Sequence, residues 1–189
     1  MPGHHSIRRI VLVGFMGAGK STVGALLARR LAWRFADSDA AIEQQQQTSI
    51  AEIFSGSGED GFRRIEAAII QALCREEPLV LALGGGAVET AATRELLYAT
   101  PDTRVVFLEA PMEVMLARCE QQPNAAVRPV LAERERLLDR LAGRLPHYRR
   151  AHFTISTADV SAESVAADII ESLFPTDLAH TRVRENART

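Results

Sequence analysis

Cysteine is scarce in this sequence of 189 residues, and this limits what can hold the fold together. Cys74 and Cys119 are its only cysteines, and they lie far apart without the C-x-x-C spacing of redox and zinc sites. The five histidines show no metal-ligand spacing either. We therefore expect reduced thiols, no structural metal, and a fold stabilised by an ordinary hydrophobic core.

Long apolar runs and an excess of charge are also absent. No apolar run approaches the roughly 20 residues that a membrane-spanning helix requires. The formal net charge is −2, which gives no reason to expect nucleic acid or an anionic membrane as a partner. Residues 1–9 are too few and too polar for a signal peptide. The sequence therefore predicts a soluble cytoplasmic protein.

Short apolar runs rich in β-branched residues alternate with helical patterns along the chain. Continuous apolar runs are typical of strands buried on both faces of a parallel sheet. Strands are predicted at Ile10–Val13, Arg34–Ala36, Leu79–Leu83, Val105–Leu108 and His152–Ile155. Helices are predicted at residues 20–31, 39–46, 50–54, 58–75, 90–99, 112–121, 131–150 and 162–173. This alternation predicts an α/β three-layer sandwich in a single domain, residues 1–175, followed by a polar, mobile tail at 176–189.

Gly14–Thr22 carries the strongest motif. Gly14, Gly19, Lys20 and Ser21 fit the phosphate-binding pattern G-x-x-x-x-G-K-[ST], between an apolar run and a helical pattern. Glycines let successive backbone N–H groups approach phosphate oxygens, and the helix that begins there adds the positive end of its dipole. In this motif the lysine reaches the β- and γ-phosphates and the serine hydroxyl binds Mg²⁺. We predict that the chain binds a nucleoside triphosphate.

Two carboxylates end the second predicted strand and leave two interpretations open. Asp37 and Asp39 stand at i and i+2, so on an extended segment they point to the same side. At the carboxyl end of a parallel strand they would face the nucleotide crevice, Asp37 holding Mg²⁺ through water and Asp39 facing the acceptor hydroxyl. The alternative is a polar turn in which Asp39 caps the next helix.

An arginine pair and a glycine run are also ambiguous. Arg63 and Arg64 are adjacent in a helical pattern, so at most one of them can face a site. The alternative is a solvated helix face on which they pair with nearby glutamates. Gly84–Gly86 follows the third predicted strand, which favours close approach of a ligand to bare backbone or, alternatively, a plain flexible turn.

Taken together and in order, these segments resemble the shikimate kinase family. GFMGAGKSTVG is followed by DSD, FRRIE, LGGGA, VRPVL and RLPHYRR, and the resemblance covers Ile10 to about Leu173. It implies a P-loop kinase fold with a five-stranded parallel sheet of order 2-3-1-4-5 and a mobile lid at about residues 119–132. It also implies a monomeric enzyme that transfers the γ-phosphate of ATP to the 3-hydroxyl of shikimate, a step of aromatic amino acid biosynthesis. Its partners are then small molecules, with Mg²⁺ as cofactor and ATP as co-substrate.

The resemblance also implies roles for individual residues where the motifs match. Catalysis is assigned to Lys20, to Asp39 as the base and to Arg128 of the lid. The ATP-binding residues are Gly17, Ala18, Gly19, Lys20, Ser21, Thr22, Arg118 and Arg128, with Ser156–Asp159 as a loop beside the adenine. The shikimate-binding residues are Asp39, Arg63, Gly84, Gly85, Gly86 and Arg144, of which Arg63 and Arg144 clamp the carboxylate. Mg²⁺ is bound by Ser21 directly and by Asp37 through water.

Two other functions stay open. A small-molecule kinase of the same fold, such as a gluconate kinase, would also take an acceptor with a carboxylate and hydroxyls, although FRRIE and LGGGA argue against it. A nucleotide-binding homologue without catalysis would be expected to have lost the P-loop lysine, the aspartate or the lid arginine. Lys20, Asp39 and Arg128 are all present.

Overall fold

The computed structural model describes residues 7–121 and 134–175. The strands are β1 (Arg9–Val13), β2 (Arg34–Asp37), β3 (Leu79–Ala82), β4 (Thr103–Glu109) and β5 (Phe153–Ser156). The helices are α1 (Lys20–Leu31), α2 (Ser38–Gln46), α3 (Ile50–Leu73), α4 (Ala91–Ala99), α5 (Met112–Glu120), α6 (Arg134–Tyr148) and α7 (Ala162–Leu173). A short 3₁₀ turn, Ala87–Glu89, lies between β3 and α4.

The five strands form one parallel sheet in the order β2-β3-β1-β4-β5. This confirms the strand order that the family resemblance implies. β1 is central: Ile10 is level with Val80 of β3 on one side and with Arg104 of β4 on the other. Every residue of β1 and β3 is buried, as their continuous apolar runs predict, because both faces of the sheet are covered.

Helices cover the two faces of the sheet as a consequence of its strand order. The connection from β1 to β2 runs in the opposite direction to the one from β3 to β4. Right-handed crossovers therefore place α1 and α4 on opposite faces. The contacts agree, since α1 packs beside α7 while α3 packs beside α2 and α4. The α/β three-layer sandwich is confirmed.

The predicted strands are all present, with ends shifted by at most two residues, and most helices agree as closely. The helices predicted at 50–54 and 58–75 correspond to two helical stretches that meet at a kink within α3, at Gly58, whose backbone is non-helical with a φ of +67°. A capping box between Ser49 and Glu52 starts this helix. The break predicted from the sequence falls at this kink, because glycine adopts the positive φ that other residues rarely adopt.

Two of the predicted segments lie mostly or wholly outside the residues that the structure describes. The lid at about 119–132 lies mostly outside the described residues, as does its Arg128, and so does the tail at 176–189. Within residues 7–121 and 134–175, no helix combines the length and apolar character needed to cross a membrane.

Candidate active site

The loop between β1 and α1 has the backbone conformation that its glycines allow. Gly14 and Gly17 have φ angles of +149° and +72°, which L-amino acids with a side chain rarely adopt. A Cβ at Gly14 would lie 2.5 Å from the carbonyl oxygen of Leu108, and a Cβ at Gly17 would collide with that of Met115. Glycine is therefore required at both positions for two reasons: the positive φ, and the close approach of β4 to Gly14 and of α5 to Gly17.

Lys20 turns back into this loop from the first position of α1. Its Nζ donates hydrogen bonds to the carbonyl oxygens of Gly14 (2.9 Å) and Phe15 (3.0 Å). Burial lowers the pKa of Lys20 from 10.5 to about 8, although the nearby carboxylates of Asp39 and Asp37 oppose this. The ammonium group is poorly solvated, so an anion placed beside it would stabilise its charged form.

Ser21 and Asp37 bring two oxygen atoms together beside the loop. The Ser21 hydroxyl donates a 2.6 Å hydrogen bond to Oδ2 of Asp37. Oδ1 of Asp37 accepts from the backbone N–H of Asp39 (3.0 Å) and Ala40 (3.4 Å), so Asp37 is the N-cap of α2. A hydroxyl and a carboxylate are the kind of oxygen ligands that Mg²⁺ prefers.

The geometric argument that placed Asp37 and Asp39 on one extended segment was wrong. α2 begins at Ser38, directly after β2, so Asp39 lies in a helical turn and not on a strand. The alternative was wrong as well, because Asp37 and not Asp39 caps α2. The strand gives way to helix at this point because the Asp37 side chain satisfies the first free N–H groups of α2.

Asp39 nevertheless lies against the glycine run that follows β3. A Cβ at Gly84 would collide with Oδ1 of Asp39. The buried Ser38 hydroxyl accepts a 2.8 Å hydrogen bond from the Gly84 backbone N–H, which fixes α2 against this loop. Burial raises the pKa of the Asp39 carboxyl, the nearby Asp37 carboxylate adds to this, and Lys20 opposes it. The Asp39 carboxylate thus lies near both the Lys20 ammonium and the bare backbone of Gly84.

Arg63 of α3 and Arg144 of α6 converge above the same loop. Oε2 of Glu89 accepts a hydrogen bond from Nη2 of Arg63 (3.1 Å) and from Nη2 of Arg144 (3.0 Å). A Cβ at Gly86 would collide with the Arg63 guanidinium, and a Cβ at Gly85 would lie 3.5 Å from Nη1 of Arg144. We call Arg63 and Arg144 the arginine pair.

Arg63 is held by acidic residues on its own helix. Its Nη1 donates a 2.7 Å hydrogen bond to Oε2 of the buried Glu66, and its Nη2 lies 3.3 Å from Oε1 of Glu59. Burial raises the pKa of Glu66, while the Arg63 guanidinium counteracts the rise. Arg64 is exposed, so of the two adjacent arginines Arg63 is the one that turns toward the glycine run. Arg63 also makes the ion pairs of the alternative interpretation, because it contacts Glu59 and Glu66 while it lies against Gly86.

Tyr148 connects the end of α6 to the glycine run. Its buried hydroxyl donates a 2.6 Å hydrogen bond to the Gly85 carbonyl, and its ring stacks on Phe107 of β4 with the centroids 5.2 Å apart. Burial raises the pKa of Tyr148, so the hydroxyl keeps its proton as a donor. This hydrogen bond holds the C-terminal end of α6 against the glycine run, and Arg144 lies one turn earlier on the same helix.

Arg118 of α5 lies on the other side of the P-loop. Its Nη1 donates to Oγ1 of Thr157 (2.9 Å) and to the Gly17 carbonyl (3.4 Å), and its Nη2 donates to the Thr157 carbonyl. Thr157 directly follows β5 and belongs to the segment 156–159 that the resemblance implies beside the adenine. Arg118 therefore bridges the two loops that would flank a nucleotide.

The family model of shikimate kinase matches residues 16–174. This range includes every residue assigned to the site and leaves out only β1 and the start of the P-loop among the elements described above. The chain belongs to the shikimate kinase family. A shikimate kinase of Halorhodospira halophila (strain DSM 244 / SL1) is 47% identical over 169 residues, which are 87% of this chain and 93% of that protein.

Solved structures agree with membership of the shikimate kinase family. The shikimate kinase from Acinetobacter baumannii, solved in complex with shikimate, matches with a TM-score of 0.83 at 39% identity and covers 92% of this chain and 97% of that one. A gluconokinase from Sinorhizobium meliloti 1021 matches with a TM-score of 0.56 at 19% identity, covering 90% and 98%. The second likeness shows a shared fold only.

Most site residues predicted from the shikimate kinase resemblance lie together in the structure. They surround the P-loop and the glycine run, which stand side by side at the carboxyl ends of β1 and β3. The residues brought together are Gly17, Ala18, Gly19, Lys20, Ser21, Thr22, Asp37, Asp39, Arg63, Gly84, Gly85, Gly86, Arg118 and Arg144. Arg128 lies outside the described residues.

The structure adds three residues to those that the sequence assigned to the site. Glu89 contacts the arginine pair, and Ser38 and Tyr148 hold the glycine run. Thr157, which holds Arg118, lies in the segment 156–159 that the resemblance already implied. Tyr148 lies within the RLPHYRR motif, which could have indicated it. Glu89 has no such signal, because its position depends on the 3₁₀ turn that follows the glycines.

Proposed function

We propose that this protein transfers the γ-phosphate of ATP to the 3-hydroxyl of shikimate, giving shikimate 3-phosphate and ADP. The observation that carries the proposal is the arginine pair, which stands over Gly84–Gly86 beside Asp39 and next to the P-loop. A site for a small carboxylate thus adjoins a site for a nucleoside triphosphate. The high identity to named shikimate kinases supports shikimate as the acceptor.

The arginine pair has the chemistry to bind the carboxylate of shikimate. Guanidinium groups bind carboxylates through two parallel, charge-assisted hydrogen bonds. Arg63 and Arg144 come from different helices, so they can grip the group from two directions. Nε of Arg144 is buried and has no hydrogen-bond acceptor among the described residues, which leaves a donor available. The missing side chains of Gly84–Gly86 would let a ligand approach bare backbone beside these groups.

The P-loop side would hold the phosphates of ATP. The backbone N–H groups of Gly17–Thr22 and the Lys20 ammonium would neutralise the β- and γ-phosphate oxygens. Arg118 would flank the adenine together with the segment 156–159. We propose Arg128 as the lid arginine that joins the transferring phosphate and excludes water, which otherwise competes as acceptor.

Ser21 and Asp37 fit Mg²⁺ by their donor chemistry and their proximity. Their oxygens are 2.6 Å apart, so a cation bound to the Ser21 hydroxyl would lie within reach of Asp37 through a water molecule. When bound, Mg²⁺ neutralises negative charge on the phosphates. The two residues position that charge at the end of the P-loop.

Asp39 would orient the 3-hydroxyl and accept its proton. Its carboxyl is partly buried and close to Lys20 and Gly84, where the two substrates would meet. A raised pKa makes a carboxylate a better proton acceptor than an ordinary aspartate. Positioning and charge neutralisation supply most of the catalysis in phosphoryl transfer. Asp39 would therefore accept the proton of the 3-hydroxyl late in the transfer.

The test is ADP release from Mg-ATP with and without shikimate, with gluconate and a nucleoside monophosphate as control acceptors. We expect strong stimulation by shikimate alone. Stimulation by gluconate would contradict the acceptor assignment. ATP binding without turnover on any acceptor would indicate a nucleotide-binding homologue that has lost catalysis.

A further inference from the structure

Glu89 binds both members of the arginine pair with one carboxylate oxygen. Oε2 lies 3.1 Å from Nη2 of Arg63 and 3.0 Å from Nη2 of Arg144. Glu89 ends the 3₁₀ turn that follows the glycine run, so it enters the site from the loop that would lie under the acceptor ring. A carboxylate of this chain thus makes the contacts that the carboxylate of shikimate would make.

The backbone of Glu89 is fixed, whereas its side chain is accessible. The Glu89 N–H donates to the Gly86 carbonyl (2.9 Å), and Nη1 of Arg94 donates to the carbonyls of Val88 (2.7 Å) and Glu89 (2.8 Å). The Glu89 side chain is 39% exposed, compared with 17% for Arg63 and 14% for Arg144. The carboxylate can therefore rotate into solvent while the two guanidinium groups stay in place.

The arginine pair keeps its position without Glu89. Arg63 retains its 2.7 Å bond to the buried Glu66, and Arg144 packs over the Phe15 ring, 5.8 Å from its centroid. Removing Glu89 would free Nη2 of Arg144 and would leave Nη2 of Arg63 with its longer contact to Glu59, at 3.3 Å. These contacts indicate that Glu89 is not needed to hold the arginine pair in place, so its carboxylate can compete with an acceptor carboxylate for the two guanidinium groups.

We infer that Glu89 determines the affinity for the acceptor, because its carboxylate competes with that of the acceptor for the arginine pair. The identity of that acceptor as shikimate rests on the proposed function. Each binding event exchanges one carboxylate for another on the same two guanidinium groups. Glu89 acts on substrate binding and not on the phosphate transfer, which takes place at the far end of the acceptor.

The experiment compares kcat and the KM for shikimate, at saturating Mg-ATP, in the wild type and in Glu89→Gln, Glu89→Asp and Glu59→Gln. Partly exposed ion pairs contribute modestly, so we expect Glu89→Gln to lower the KM about three- to tenfold. kcat stays within about twofold. Glu89→Asp keeps the charge but is one methylene shorter, so it cannot bridge both arginines, and its KM falls as well.

Glu59→Gln is the matched control. Glu59 also contacts Nη2 of Arg63, at 3.3 Å, but it is 67% exposed and makes no contact with Arg144 among the described residues. Its KM for shikimate should stay within about twofold of the wild type. The neutral amide of shikimate is the second control, because Glu89→Gln should not change the KM for an acceptor without a carboxylate.

An unchanged or raised KM in Glu89→Gln would overturn the inference, the raised value indicating that Glu89 orients the arginine pair. A wild-type KM in Glu89→Asp would also overturn it, since simple charge repulsion would then explain the effect. If the wild type shows no shikimate-dependent ADP release, the proposed function fails, and calorimetric binding of shikimate then decides on Glu89. Tighter binding to Glu89→Gln would still support competition, and no binding to either protein would overturn it.

Discussion

The Ser21 hydroxyl donates a 2.6 Å hydrogen bond to the Asp37 carboxylate, joining the first turn of α1 to the N-cap of α2. Asp37 therefore has two functions in the structure. One of its oxygens caps α2, and the other stands beside the proposed Mg²⁺ ligand Ser21. A substitution at Asp37 can separate the two.

Asp37→Asn should weaken the use of Mg²⁺ and leave the fold intact. Asparagine caps helices about as well as aspartate, so the melting temperature should stay near the wild-type value. The loss of charge should raise the Mg²⁺ concentration needed for half-maximal ADP release about tenfold. Asp37→Ala should lose the cap as well, at about 1 kcal/mol. An unchanged Mg²⁺ dependence in Asp37→Asn would contradict the assignment.

Arg144→Ala should raise the KM for shikimate and leave kcat little changed, because the carboxylate lies away from the reacting hydroxyl. A hydrogen bond to a charged group contributes about 1.5–3 kcal/mol, which corresponds to a KM about 10- to 100-fold higher. Arg64→Ala, on the exposed face beside Arg63, is the control and should behave as the wild type. A normal KM in Arg144→Ala would argue against the clamp.

Arg63→Ala should raise the KM in the same way and also destabilise the protein. Glu66 is buried and pairs with Arg63, so the substitution leaves a buried carboxylate without its partner, at about 3 kcal/mol. Thermal unfolding of the two variants separates these effects. Arg144→Ala should melt close to the wild type, since its partner Glu89 is exposed. Equal losses of stability would contradict this account of Glu66.

Asp39→Asn should lower kcat about 10²- to 10⁴-fold, the usual contribution of a general base. The variant keeps the shape of the side chain, so the KM for ATP should not change. The wild-type rate should fall as the pH falls through the pKa of Asp39, which lies above that of an ordinary aspartate, because the protonated form cannot accept a proton. Near-wild-type turnover in Asp39→Asn would exclude the base role.

Lys20 should impose an alkaline limit on the use of ATP. Burial lowers its pKa to about 8, so as the pH rises through 8 the free protein loses the positive charge that binds the phosphates. kcat/KM for ATP, measured at saturating Mg²⁺, should therefore fall above about pH 8. Lys20→Arg stays charged, so it should lose this limit even if its activity is lower. The same limit in Lys20→Arg would assign it to another group.

The sequence predicted the sheet and most helices because their signals are local. Continuous β-branched runs identify buried parallel strands, and the P-loop motif places the first βα turn whatever follows it. The choice between Arg63 and Arg64 could not be made in this way. It depends on how α3 rotates about the buried Phe62 and Glu66, which only the packing determines.

Asp39 and Glu89 show two further limits of the sequence. An extended chain and a helix start are both compatible with DSD, and the side-chain cap of Asp37 decides in favour of the helix. Glu89 reaches the arginine pair through a 3₁₀ turn only three residues long, Ala87–Glu89. A turn this short has no periodicity, so its side-chain directions follow from tertiary contacts.

The most direct measurement is the destination of the γ-phosphate. ATP labelled in the γ-phosphate is incubated with the protein, Mg²⁺ and shikimate, and the product is separated and examined by ³¹P and ¹H NMR. The proposed function predicts one labelled product in which phosphorus couples to the proton on carbon 3 of shikimate. Label that remains in ATP, is released as inorganic phosphate, or resides on another hydroxyl would contradict it.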